Sequence, residues 1–360
     1  MIHEPTFIIA EAGVNHNGNR QLAFDLIDAA VGAACDAIKF QSFKAEAVMV
    51  ASLEKVAYQK AQTDKSETML DMVRKLEISW KTQRELSDYC RAKEIQFVSS
   101  PFDLSSVEFL ANDIGVKTIK IPSGEITCGP LLLQCARSGC DLILSTGMST
   151  MDEIEVALGI FAFGMTSGST ELPTLSKFKA AYAEPKGREA LRKKVSLLHC
   201  TSEYPSPYNE INLRAMDTIR EAFDLPIGLS DHSPGIIVPL AAVARGASIV
   251  EKHFTLDRSL SGPDHQASLE PHELKEMVNS IRKIEKTLGD GVKVPQPSEL
   301  KNKSAIRKCL VAARDIQKGE FFAEENLTFK RPDAGISPLQ YWDMLGKKVE
   351  KDYLADEVIR

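Results

Sequence analysis

A (β/α)8 barrel of the α/β class, followed by a small β-rich domain, is the fold this sequence predicts, on three observations. Eight short apolar runs rich in β-branched residues alternate with longer amphipathic stretches. Together they occupy about 290 residues, the size of such a barrel. A stretch dense in Gly and Pro, GDGVKVPQPSE after Leu288, then breaks the pattern. An open doubly wound sheet would offer fewer strands and a Gly-rich first turn.

The expected strands are Phe7–Ala10, Ala37–Phe40, Gln96–Ser99, Thr118–Ile121, Asp141–Ser145, Val195–His199, Ile227–Ser230 and Ser248–Lys252. In the first helix Leu22, Leu26, Ile27, Ala30 and Ala33 recur at helical spacing behind Asn19, an N-cap residue. Helices are also expected over Thr82–Lys93, Leu104–Ile114, Met151–Phe163, Leu213–Phe223, Ile236–Arg245 and Glu270–Leu288. Residues 42–80 separate the second strand from its helix, so they should rise over the strands' C-terminal ends as a lid or substrate wall. Residues 164–194 follow a helix and precede a strand, which places them at the opposite end, away from chemistry. The expected domains are a barrel over 1–288, a linker over 289–298 and a tail over 299–360 with strand-like runs at Cys309–Ala312 and Leu327–Lys330 and no strong helical period. So short a tail makes a small core and should dock on its own barrel or on a partner's.

The chain has 360 residues, a net charge of −6 and no basic stripe, which argues against a nucleic-acid scaffold. No apolar run approaches a membrane span, and the N-terminus lacks a basic, cleavable leader. Seven cysteines, an odd number with no C-x-x-C, argue against a disulfide framework and for a reducing cytoplasm.

Chemistry should collect where polar residues interrupt apolar strands. Glu11 ends the first strand; Lys39 and Gln41 share one face of the second while Ile38 and Phe40 share the other. Lys120 leads into Pro122-Ser123-Gly124-Glu125, and the remaining strand ends carry Ser99-Ser100, Ser145-Thr146-Gly147, His199 through Tyr204, Ser230-Asp231-His232 and Lys252-His253. Any one of these is commonly a rim charge or turn former. Eight polar strand ends in succession mark the C-terminal face of a barrel, where active sites form. Two lysines among hydroxyls make an anion cradle suited to phosphate. His232 and His253, on adjacent strands, can share one divalent metal (Mn²⁺, Co²⁺, Fe²⁺ or Zn²⁺) and leave positions open. His3 and His272 read as surface residues, and His16, His199 and His265 as structural groups near the mouth.

The segments E-A-G-V-N-H-N-G (11–18), K-F-Q (39–41), S-S-P-F (99–102), K-I-P-S-G-E (120–125) and L-S-T-G-M (144–148) resemble the sialic acid synthases. So do H-C-T-S-E-Y-P (199–205), G-L-S-D-H (228–232), K-H-F-T (252–255) and G-P-D-H (262–265), while K-G-E (318–320) and K-R-P-D-A-G-I-S-P (330–338) resemble that family's antifreeze-like (SAF, β-clip) domain. The resemblance spans the chain and implies condensation of phosphoenolpyruvate with an N-acetylated mannose-type sugar, giving sialic or legionaminic acid and phosphate. It implies that Lys39, Ser100, Lys120, Ser123, Ser145, Ser202 and Ser230 hold phosphoenolpyruvate, Ser202 standing where some relatives have Asn. It further implies His232 and His253 as ligands of a divalent metal, Mn²⁺ before Mg²⁺ or Co²⁺. Glu11, Gln41, Glu125, Tyr204 and Asp264 would line the sugar site, with Glu125 and Glu11 catalytic. Arg331 would reach a second subunit's barrel in a domain-swapped homodimer.

E-A-G-V-N-H-N-G and D-H-Q-A-S-L-E-P (264–271) favour the sialic/legionaminic branch over pseudaminic acid synthesis. Two readings from other classes compete. A Schiff-base aldolase would use Lys120 or Lys39 as nucleophile and would need that amine desolvated. A non-catalytic ice- or glycan-binding protein would leave the polar strand ends without a purpose.

Overall fold

The structure, a computed structural model, describes residues 4–55, 67–168, 170–332 and 334–360. Of the sequence expectations, His3, residues 56–66 of the 42–80 insertion, Ser169 of the second insertion and Asp333 of the tail motif lie outside these. Contacts divide the chain into two units, one ending at Gly289 and one beginning at Asp290.

In the first unit eight parallel strands close on themselves in sequence order: β1 (Phe7–Gly13), β2 (Ala37–Ser42), β3 (Gln96–Pro101), β4 (Thr118–Ile121), β5 (Asp141–Ser145), β6 (Val195–Cys200), β7 (Ile227–Asp231) and β8 (Ile249–His253). Every expected strand is present. The period of two does the sorting. Ile8, Ile38, Phe40, Ile119, Ile121 and Val250 pack outward with the helices. Ile9, Ala37, Val98, Ile143, Leu198 and Ile249 meet inside the barrel as an apolar floor. The next inward position towards the C-terminus is Glu11, Lys39, Ser100, Ser145 and Glu251 on five of these strands, and Cys200 on β6.

Most expected helices form as well. Asn19 caps the helix Arg20–Gly32, its side chain accepting from the Gln21 and Leu22 amides. The stretch 104–114 starts as α-helix and finishes as a π-helical turn, Phe109–Ile114. One helix, Gly129–Arg137 between β4 and β5, was not anticipated: its leucines run consecutively, which hides the helical period, and a proline opens it. The excursion over 164–194 is helical too, as Leu175–Ala183 and Pro185–Lys194, packed on the helix Met151–Thr166. It borders a groove of about 640 Å³ at the strands' N-terminal ends. The lysines there are already engaged, Lys193 with Glu189 and Lys194 with Asp141.

The 42–80 insertion contributes Ala45–Val48 and Met69–Leu76. Met69, Met72, Val73 and Leu76 share one helical face and pack with Val14, Phe43 and Ala45. Gly18 (φ +70°) lets the loop after β1 pass the Lys75 carbonyl, which any Cβ would strike. No helix among the described residues is long and apolar enough to cross a membrane.

The second unit has both expected strands, β9 (Cys309–Ala312) and β10 (Leu327–Lys330), and pairs them antiparallel around Leu310, Ala312, Ile316, Phe322, Leu327, Val349, Tyr353 and Ile359. Against expectation, its start is helical: Pro297–Ile306, opened by a Gln296/Glu299 capping box and burying no side chain. Without an apolar face it left no period to find.

The loop following β1 is held by neutral histidines. His16 Nδ1 accepts the Gly18 amide at 3.0 Å, and His265 pairs with Thr255 at 2.7 Å. Burial pushes both from the usual 6.5 down to about 4. The unfolded chain therefore takes up these protons first, and stability should fall as pH drops from about 6.5 to about 4. Denaturation midpoints of wild type and His16→Gln across that window should show a shallower fall in the variant; equal slopes would remove His16 from the linkage.

Candidate active site

Above the apolar floor sits a buried charge cluster. Lys39 Nζ lies 2.8 Å from Glu11 and 3.7 Å from Glu251, and Lys120 Nζ lies 3.1 Å from Glu251. Lys39 also donates to Ser100 Oγ at 3.2 Å, and Ser230 Oγ donates to Glu251 at 3.1 Å. All four charged side chains are nearly fully buried. Burial pushes Glu11 up to about 7, partly offset by Lys39 and reinforced by Glu251. Burial alone would raise Glu251 too, but Lys120 and Lys39 outweigh it and hold it below the usual range. Glu251 is thus the standing anion of the cluster, and Glu11 the carboxyl that exchanges a proton near neutrality. Burial lowers Lys120, whereas for Lys39 it is outweighed by Glu11 and Glu251, which raise it.

The imidazoles adjoin this cluster. β8 places His253 beside Glu11 of β1 in register and two residues beyond Glu251 on the same face. At Gly13 (φ +52°) a Cβ would lie 3.2 Å from Glu11 Oε1, 3.3 Å from His253 Cε1 and 3.4 Å from Gln41 Nε2, so these three groups converge on bare backbone. The His232 and His253 rings lie 5.5 Å apart, and Tyr204 covers both, 4.0 Å from His232 and 5.6 Å from His253. His232 Nδ1 donates to the Thr201 carbonyl at 2.7 Å, which fixes the tautomer and leaves the Nε2 lone pair bare. Burial opposes its protonation, but Cys200 and that carbonyl more than offset it, leaving a basic imidazole. Burial, then His232 and the lysines, keep His253 neutral. These donors fit one divalent cation. Among the described residues no group of three or more His, Cys, Asp or Glu side chains could enclose a metal, so two imidazoles would leave positions for oxygen ligands.

Hydroxyls line the far side. Ser123 Oγ accepts the Gly147 amide at 2.9 Å, and a Cβ at Gly147 would collide with the Ser202 and Ser123 hydroxyls. Ser145 Oγ, Glu11 Oε2, Glu251 Oε2 and His253 Nδ1 are buried without a hydrogen-bond partner among the described residues. Such groups are costly in a finished core and expected in a binding site. Asp264 is buried, its carboxyl raised to about 6 by desolvation against the opposing pull of His232 and Lys39. It borders a cavity together with Gln41, Tyr204 and His253.

Two further expected residues lie on a turn and in the second unit. Glu125, on the 3-10 turn after β4, is half-buried; burial raises its carboxyl, and it takes a hydrogen bond from Cys128. Arg331 belongs to the second unit, exposed at the end of β10. Asp231 and Lys252, counted among the strand ends, point away from the site: they form a buried pair at 2.6 Å on the helix side of β7 and β8. His199 bonds the Ile211 carbonyl at 2.6 Å, a structural role as expected, and His272 is exposed.

Glu251 was missed, although its signal was available. If His253 faces inward, period two puts Glu251 inward and Lys252 outward. Cys200 was missed as well; it faces the site 3.8 Å from His232, and although burial would raise its thiol, His232 and Lys120 hold it down to about 7.

Residues 26–293 match the NeuB family, and residues 307–360 the SAF domain. The chain belongs to the NeuB family. It is 48% identical over 99% of both chains to the N,N'-diacetyllegionaminic acid synthase of Campylobacter jejuni subsp. jejuni serotype O:2. To the N,N'-diacetyllegionaminic acid synthase of Legionella pneumophila subsp. pneumophila it is 42% identical, covering 97% of this chain and 92% of that one. The crystal structure of the N-acetylneuraminic acid synthetase from Leptospira borgpetersenii serovar Hardjo-bovis superposes with a TM-score of 0.67 at 36% identity, over 83% of this chain and 90% of that one.

Glu251→Gln would leave Lys39 and Lys120 sharing one carboxylate in a dry interior. Urea denaturation should show a loss of about 3–5 kcal/mol, while Glu203→Gln on the exposed loop after β6 should leave stability unchanged; equal stabilities would remove Glu251 from its central place.

Proposed function

We propose that this NeuB-family chain condenses phosphoenolpyruvate with an N-acetylated mannose-type sugar and water, releasing phosphate and a nonulosonic acid. The observation that carries this reading is the meeting of the Lys39–Lys120–Glu251 cluster with the His232/His253 pair at one barrel mouth. The identity to two legionaminic acid synthases supports the legionaminic branch over the pseudaminic one.

Lys39 and Lys120, with the hydroxyls of Ser100, Ser123, Ser145, Ser202 and Ser230, hold the phosphate and carboxylate of phosphoenolpyruvate. Gln41, Tyr204 and Asp264 orient the open-chain sugar. His232 and His253 hold a divalent cation, Mn²⁺ first and Mg²⁺ or Co²⁺ next, which supplies a Lewis acid for the sugar's aldehyde oxygen. C3 of phosphoenolpyruvate attacks the aldehyde carbon, the C2–C3 π pair forming the new C–C bond and the carbonyl π pair moving to the sugar oxygen, which becomes a hydroxyl on taking up the proton that Glu11 collects in the next step. Positive charge develops at C2, and Glu125 is the carboxylate assigned to stabilise it. Water adds to C2, passing its proton to Glu11, whose unpartnered Oε2 and pKa near 7 suit that exchange. The C2–O bond to phosphate then breaks, the C2 hydroxyl becoming the keto group as its proton passes to the departing phosphate. Arg331 contacts the N-acyl group from a second subunit in a swapped homodimer, which would give a small tail domain its support. With all seven cysteines free, the enzyme suits a reducing cytoplasm.

One observation favours a Schiff-base aldolase: burial lowers Lys120. Glu251 at 3.1 Å opposes loss of that proton. Borohydride with pyruvate would trap an aldolase covalently and leave a synthase unlabelled.

Phosphate release from phosphoenolpyruvate should require an acceptor sugar, stop with a chelator and return with Mn²⁺; acceptor-independent or chelator-resistant release would overturn the reading. His253→Ala should abolish turnover while the chain stays folded. Arg331→Ala should raise the KM of the sugar more than that of phosphoenolpyruvate, and the reverse order would exclude Arg331 from the sugar site.

A further inference from the structure

A cavity of about 230 Å³ opens directly off the candidate site. On one side it is bounded by Gln41, Tyr204, His253 and Asp264, the groups to which the sugar is assigned. The other side is apolar: Phe43, Met49, Met69, Met72, Val73 and Leu76 line it, all from the 42–80 insertion. The same helix face also packs with Val14 and Ala45, so part of its apolar character belongs to holding the insertion in place. Among the described residues that packing leaves the space open. Apolar walls facing open space forfeit dispersion contacts, and a folded chain retains such a space where a ligand fills it.

The chemistry of the wall limits what fits. Thioethers and aliphatic carbons have no donors for a sugar hydroxyl, so a hydroxymethyl group placed there would lose its hydrogen bonds to water without replacement. A methyl group loses nothing on entering and gains contact. Methionine suits the task, being flexible and polarizable enough to close around a small irregular group.

We propose that the wall formed by Met49, Met69 and Met72 reads the methyl-bearing end of the sugar and makes a 6-deoxy, N-acylated hexose the preferred acceptor. This rests on the condensation proposed above and adds residues that set its specificity. The aldehyde end lies towards the imidazoles, and the deoxy end lies against the insertion.

The test compares kcat/KM for 2,4-diacetamido-2,4,6-trideoxymannose with that for N-acetylmannosamine, by phosphate release, in wild type, Met72→Gln and Met49→Gln. Glutamine nearly matches methionine in size but puts an amide where the methyl group would sit. Met72 is buried in the insertion's small core, whereas Met49 lies half-buried just beyond a short helix, so the second variant reads the wall with little demand on folding. Wild type should prefer the deoxy sugar, and each variant should lower that preference by about tenfold or more with the KM of phosphoenolpyruvate unchanged. An unchanged preference in folded variants, or a wild type that prefers N-acetylmannosamine, would overturn the proposal and leave the condensation standing. Absence of phosphate release with every acceptor would overturn both.

Discussion

Four charged side chains share the dry interior of this barrel, and their mutual compensation is what the rest of the site depends on. Lys39 and Lys120 would repel each other at this depth without the carboxylate between them. Glu251 meets both lysines and accepts the Ser230 hydroxyl, while Glu11 satisfies Lys39 from the other side. Two cations and two carboxyls make the layer nearly neutral overall while keeping ammonium groups near its surface. The apolar floor beneath contributes by excluding water, which strengthens each of these interactions. The lysine donors are therefore already held in place by the cluster itself.

The neighbouring groups follow from the same alternation. A single step of two residues along β8 separates the anion that organises the lysines from one of the imidazoles, and register across to β1 brings Glu11 to that imidazole. Gly13 lets the three strand ends close up without a side chain between them. The site is thus a property of strand periodicity and of one bare backbone position, more than of any loop.

That is also why so much of it was legible. Strands such as Thr118–Ile121, where Lys120 stands alone between isoleucines, announce both their conformation and the exceptional residue. Motifs held together in order along the whole chain then added the family. What escaped had weak or masked local signals. The helix Gly129–Arg137 carries consecutive leucines, and Pro297–Ile306 has no apolar face. Glu251 escaped because its neighbour Lys252 drew attention as the charged residue of the strand, although the two point to opposite sides. The apolar wall of the insertion was foreseen as a wall; its methionine lining requires the helix Met69–Leu76 to be folded against Phe43 before it can be recognised.

The outward-facing pair of Asp231 and Lys252 bears on the two imidazoles from behind. Each is followed directly by an imidazole, His232 after Asp231 and His253 after Lys252, and the buried carboxylate and ammonium meet at 2.6 Å. The ion pair acts as a caliper clamped across β7 and β8, and the spacing of the two rings that follow it is set from the far side of the sheet.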